Sequence, residues 1–226
     1  MMCFGNMMDW RYSPDTPGEL RATKAFTIIE LLMVIAIIAI IAGITLGVMP
    51  GVMRKKTMAR VQTELTQLQA AIDYYKEKHG FYPPDGSNLV TRPPLFYELV
   101  GTRVEPRVGG AIYHPLNNEG QISSSQIPGA FPGINGFFNS SEDASEVKNF
   151  YKTLRPSQYA RDPDNTNAIV LIVPAKGPNT NNFNPWRYVV AKPSGGPNPI
   201  NNPDSYDLWA EVVYGGRTNV IGNWKK

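Results

Sequence analysis

From Leu31 to Met53 the chain runs for 23 consecutive residues without a charge, LLMVIAIIAIIAGITLGVMPGVM. As an α-helix at about 1.5 Å per residue, such a run extends roughly 34 Å, enough to cross a hydrocarbon core ~30 Å thick. One alternative is a helix buried in a soluble core, but a helix apolar all round then needs protein on every side. The other is a secretory signal peptide, whose apolar stretch is shorter, about 7–15 residues, and is followed by a small-residue cleavage site. Here the small residue that looks like a processing point, Ala25, precedes the run. The mean hydropathy of −0.27 therefore averages an apolar segment with a polar remainder.

One charge interrupts the apolar pattern near its start, Glu30 in KAFTIIELL. A carboxylate inside a membrane helix costs about 2.5–3.5 kcal/mol on insertion scales, so it needs a partner. Nothing basic lies within the segment. A free amine at Phe26, created by a cut after Ala25, would supply the charge from a neighbouring subunit; alternatively, Glu30 sits at the headgroup boundary.

Composition removes several kinds of chemistry. Cys3 is the sole cysteine, so no intramolecular disulfide and no cysteine-based zinc site can form, and two histidines, His79 and His114, cannot build a multi-histidine metal centre. A net charge of +3, without a basic stripe interleaved with aromatics, gives no reason to expect a nucleic-acid partner. The polar cluster Asp162, Asp164, Asn165 and Asn167 lacks the glycine and terminal glutamate of a calcium loop and reads as a turn. His114 stands beside Pro115 with no nucleophile near it, and His79 reads as a helix-end residue. No catalytic constellation emerges, so the expectation is no enzyme and no cofactor.

After the apolar run, Met58, Val61, Leu65, Leu68, Ile72 and Tyr75 recur at steps of three and four, one face of a helix. Arg60, Gln62, Thr63, Glu64, Gln67, Gln69 and Asp73 form the expected wet side. Gly80 and Pro83-Pro84 stop the helix, so Phe26 to about His79 reads as one long helix that Pro50-Gly51 kinks or locally melts. Much of the excess of 20 Gly and 20 Pro falls after it. Residues 81–167 read as a loop-rich insertion with short helices at 95–100 and 146–154. Asn139-Ser140-Ser141 matches the glycosylation pattern there. Strands are expected at 168–173, 188–191 and 208–214, antiparallel because their linkers are too short for crossovers.

Lys24-Ala25-Phe26-Thr27-Ile28-Ile29-Glu30-Leu31-Leu32 resembles the class III signal of type IV pilins and type II secretion pseudopilins. The resemblance implies a leader, 1–25, removed by a prepilin peptidase, methylation of the new N-terminal Phe26, and alignment of subunits by Glu30 in a filament. Ala25 stands where the family nearly always has Gly. A second resemblance, to the G-type major pseudopilin, lies in Tyr74-Tyr75-Lys76 with His79-Gly80-Phe81-Tyr82-Pro83, in Asn184-Pro185-Trp186 with Tyr188, and in Tyr206-Asp207-Leu208-Trp209 with Ile221-Gly222-Asn223-Trp224. That family binds calcium in the loop before its terminal motif. Here Tyr214 to Val220 lacks the aspartates and carries Arg217, so no family-type calcium site is expected.

The resemblance implies an α+β, pilin-like fold. Residues 26–53 would be the transmembrane and polymerisation helix, 54–80 the amphipathic half of the stem, and 168–226 a small antiparallel β region. It implies a single-pass bacterial inner-membrane subunit with a periplasmic C-terminal domain. Its partners would be membrane lipid, an assembly platform, minor pseudopilins and further copies of itself. A minor pilin or adhesin, and a membrane-anchored periplasmic binding protein or enzyme that never polymerises, are the alternatives. One count points the other way. Arg54, Lys55, Lys56 and Arg60 after the run outnumber Arg11, Arg21 and Lys24 before it, which by the positive-inside rule favours a cytoplasmic C-terminal side.

Overall fold

A computed structural model describes residues 26–86, 89–179, 183–191 and 199–224, excepting the side chains of residues 45–50. The leader 1–25, with Ala25, lies outside the described residues. The chain divides into two compact units, Met1–Met49 and Pro50–Lys226. Helix α1, Ile28–His79, has 52 residues. Its backbone stays helical through Pro50 and Gly51, so the expected local melting does not occur. A proline removes one N–H from the ladder, a gap that a helix can bridge without unwinding.

In the first unit every described side chain from Phe26 to Ile44 is exposed. Among the described residues no helix is long and apolar enough to cross a membrane. The uncharged run Leu31–Met53 includes residues 45–50, whose side chains are outside the described set.

In the second unit Val61, Leu65, Leu68, Ile72 and Tyr75 are each at most 1% exposed, so the apolar steps of α1 do face a core. Glu64, expected on the wet side, is buried instead and bonded by Arg60 Nε at 3.3 Å. Burial pushes its carboxyl above the usual range, with Arg60 opposing. The helix stops where Gly80 N–H returns to the Lys76 carbonyl at 2.8 Å.

The same core takes in α2, Leu95–Val100, whose six residues are all buried. The expected helix there is present; the one at 146–154 is not. Its backbone donors are committed elsewhere: Lys148 N–H to Asn139 Oδ1, Tyr151 N–H to Asn149 Oδ1, and Phe150 and Tyr151 N–H to the Leu99 carbonyl. The insertion is also less loop-like than expected. Strands β1 (Thr102–Arg107), β2 (Gly110–Pro115), β3 (Ile122–Ser123) and β4 (Ser140–Ser141) form a sheet of order β3-β2-β1-β4, and α3 spans Ile127–Ala130. Pro106 hides β1 in the sequence. It falls where β1 has only β2 as neighbour, so its missing N–H interrupts nothing, since the β4 pairing involves only Thr102 and Arg103.

Strands β5 (Tyr159–Arg161) and β6 (Ile169–Leu171) form a hairpin that straddles the boundary drawn at residue 167. Asp162, Asp164, Asn165 and Asn167 lie in its turn, and Arg92 binds both Asp162 and Asp164, the latter at 2.5 Å. A three-stranded sheet, β7 (Arg187–Val190), β8 (Tyr206–Tyr214) and β9 (Arg217–Gly222), is antiparallel throughout in the order β7-β8-β9. Strand β9 was not expected. Gly215 and Gly216, at φ +59° and +74°, make a two-residue turn whose left-handed pair suits the strand twist.

Glu98, in α2, joins three parts of this unit. Its buried carboxylate accepts Tyr75 Oη from α1 at 2.9 Å and the Phe138 and Asn139 N–H groups at 3.0 and 3.1 Å. Asn139 Nδ2 in turn donates to the Glu98 and Lys148 carbonyls at 2.8 and 2.6 Å. An asparagine so enclosed is no glycan acceptor. Gly101, at φ +83°, closes the layer, because an added Cβ would stand 2.4 Å from Val147 Cγ1.

Burial pushes the Glu98 carboxyl above its ordinary 4.5, and the three donated bonds oppose the shift. A folded value above the unfolded one makes the folded state the tighter proton binder. The contribution is thus complete below that ordinary value and declines as pH rises through the folded one. The midpoint of urea unfolding, followed by circular dichroism of the full chain in detergent, should therefore fall relative to Glu98→Gln between pH 4 and pH 7. Glu98→Ala should cost about 2–4 kcal/mol, because two backbone N–H groups and the Tyr75 hydroxyl lose their acceptor.

Candidate functional site

The residues singled out for processing and assembly lie at the start of α1. Phe26 and Thr27 precede the first helical residue, and Phe26 is 75% exposed. Thr27 is the N-cap. Its N–H and Oγ1 both donate to Glu30 Oε2, at 2.9 and 2.8 Å, and Glu30 N–H donates to Thr27 Oγ1 at 3.3 Å. This is a reciprocal capping box, in which a hydroxyl residue and a glutamate three positions on satisfy each other's backbone donors. Glu30 therefore has a partner in its own chain that is a hydroxyl and an amide, not a cation. The T-x-x-E spacing was the signal that could have shown it. Glu30 Oε1 accepts no hydrogen bond among the described residues.

The cap does two things chemically. It starts the helix at Ile28 and leaves Phe26 in non-helical backbone. It also places the carboxylate at the helix N-terminus, where the macrodipole favours negative charge.

The prokaryotic N-terminal methylation motif matches residues 20–46, a stretch that holds Ala25, Phe26 and Glu30. That supports the type IV pilin-like class. The motif implies processing by a prepilin peptidase and assembly with pilin-like subunits, and the mixed α+β architecture, an N-terminal helix followed by small antiparallel sheets, is consistent with a pilin-like fold. No curated protein and no solved structure matches the chain.

The terminal motif residues converge at one end of the β7-β8-β9 sheet. Asn223 takes Leu208 N–H on Oδ1 at 2.9 Å and donates from Nδ2 to the Tyr206 carbonyl at 2.9 Å, locking the start of β8. Trp224 meets Trp209 edge to face, centroids 6.0 Å apart. Trp186 and Tyr188 are core residues, 2% and 0% exposed. Asp207 accepts five bonds, from the N–H groups of Ile200, Asn201 and Asn202 and from both asparagine amides, all at 2.9–3.0 Å.

The Asp207 carboxylate is compensated by N–H donors, and the β8–β9 turn is Gly215-Gly216, without a carboxylate to offer a cation such as calcium. The two histidines are placed equally plainly. His79 packs on the Tyr75 ring at 4.4 Å, where burial lowers its pKa, and His114 Nε2 meets Glu105 Oε2 at 3.1 Å across the β1–β2 hairpin.

Thr27→Val deletes the hydroxyl of the capping box and should weaken the first helical turn by roughly 1 kcal/mol. In detergent, amide exchange at Glu30 should accelerate about five-fold, the equivalent of that energy, while the Leu65 amide stays protected.

Proposed function

We propose that the chain is a structural subunit of a type II secretion or pilus-like filament, a pseudopilin. It is made as a precursor, cut between Ala25 and Phe26, methylated at Phe26 and anchored once in the inner membrane through 26–53, with the C-terminal domain periplasmic. The observation that carries this reading is the motif-bearing helix, whose described side chains from Phe26 to Ile44 are all exposed and, apart from Thr27 and Glu30, apolar or glycine. Such a surface is stable only against lipid or against other helices of its kind.

The subunit's role is mechanical, with no catalysis and no cofactor. Stems bundle through their apolar surfaces, and the amine freed at Phe26 of one subunit reaches Glu30 of the next. The capping box is compatible with that contact, because Thr27 engages Oε2 and leaves Oε1 to accept. The G-type branch is supported by the mutual contacts of its motif residues: Asn223 with Tyr206 and Leu208, and Trp224 with Trp209.

Edman degradation or mass spectrometry of membrane-extracted protein tests the processing, the expected result being an N-methylated Phe26 start. An intact methionine start would leave a plain membrane anchor. Glu30→Ala should insert normally yet form few or no filaments by electron microscopy, and normal filaments from that variant would refute its role in alignment.

A further inference from the structure

Arg54, Lys55 and Lys56 follow directly on the uncharged run, and the periplasmic topology gives these charges no role. All three are exposed, next to Val52 and Met53, themselves 57% and 53% exposed. The fold gathers more basic side chains to them. Arg54 Nη2 donates to Asn219 Oδ1 on β9 at 3.2 Å, and Asn219 Nδ2 donates to the Arg217 carbonyl at 3.3 Å. Exposed Arg217, at the tip of the β8–β9 hairpin, is thereby fastened near the same helical turn. Lys176 flanks the hairpin, since its carbonyl accepts Val213 N–H at 2.8 Å and Val213 pairs with Thr218.

These charges are not neutralised from within. Among the described residues, Arg54, Lys55, Lys56, Lys176 and Arg217 make no ion pair. The carboxylates on the neighbouring stretches are engaged elsewhere: Glu64 with Arg60 and Glu211 with Arg187, each at 3.3 Å.

We propose that this basic collar binds anionic phospholipid headgroups of the bilayer from which the stem emerges, seating the second unit on the membrane surface. The proposal rests on the membrane-anchored reading above. Lipid is favoured over a protein partner by position. Arg54 is one helical residue, about 1.5 Å, beyond the end of the apolar run, so it reaches the interface whenever that run is inserted. Long basic side chains keep their stems in apolar surroundings while the charge enters the headgroup layer. Each Lys or Arg held at an anionic surface favours association roughly five-fold, an effect that fades within a Debye length. Such a gain also offsets the penalty of placing four basic residues, Arg54, Lys55, Lys56 and Arg60, on the translocated side.

The test uses the full chain with Cys3→Ser and Thr218→Cys, labelled at residue 218 with a fluorophore. It is reconstituted into phosphatidylcholine vesicles with or without phosphatidylglycerol, and a quencher is carried on the lipid headgroups. Quenching should rise several-fold with phosphatidylglycerol and return to the neutral-lipid level in high salt. Adding Lys55→Gln, Lys56→Gln and Arg217→Gln should abolish the lipid-dependent part. Resistance to alkaline extraction is measured in the same vesicles. Resistant protein with equal quenching in both lipids overturns the collar and leaves the anchor standing, whereas loss of resistance overturns the anchor and the collar with it. Salt-sensitive self-association that needs no anionic lipid also overturns the proposal, in favour of contact between two copies.

Discussion

A single buried carboxylate organises the larger unit. Glu98 sits on a short helix with no exposed residue and is compensated by the Tyr75 hydroxyl from the stem and two N–H groups from the insertion. Removing a charge from water is affordable only with such compensation. The donors must therefore arrive together, which couples the placement of α1, α2 and the 137–139 segment that leads into β4. Asn139 extends the arrangement by clamping the Glu98 and Lys148 carbonyls. A segment with helical composition at 146–154 is thereby drawn out of helical geometry, because its donors and acceptors are taken by side chains and by Leu99.

The reading from sequence succeeded where the signal was periodic. The 3–4 spacing of Val61, Leu65, Leu68, Ile72 and Tyr75 identifies a buried face, and all five are at most 1% exposed. The Ile169–Leu171, Arg187–Val190 and Tyr206–Tyr214 strands show as apolar or aromatic runs bounded by turn residues. It failed where partners are distant in the chain. Nothing local marks Arg92 as the partner of Asp162 and Asp164, or Glu98 as the acceptor for Tyr75. Strand β9, RTNVIG, has little apolar pattern of its own and is held by its pairing with β8. Glu64 reads as solvent-facing by its type, yet the face it occupies is covered.

The candidate site was legible in part. KAFTIIELL resembles a prepilin-type processing signal, and the methylation motif found over residues 20–46 agrees with that resemblance. The role of Thr27 was missed because a charge in an apolar setting directs attention to other charges. The carboxylate is instead satisfied by a hydroxyl and an amide three residues away, a local solution that a membrane helix and a soluble helix share.

The β8–β9 hairpin is tied to the stem at two widely separated points. Tyr206 Oη donates to Asp73 at 3.4 Å at one end, and Arg54 donates to Asn219 at 3.2 Å at the other. The 19 steps from Arg54 to Asp73 rise about 28 Å as helix, and the six steps from Tyr206 to Val212, which pairs with Asn219, cover about 20 Å as strand. Two side-chain bonds thus hold the hairpin to the helix at points roughly 20 Å apart along the strand. A pull along the stem loads both ties together, in shear, rather than opening them one at a time. A body built this way resists axial tension far better than a pull directed sideways.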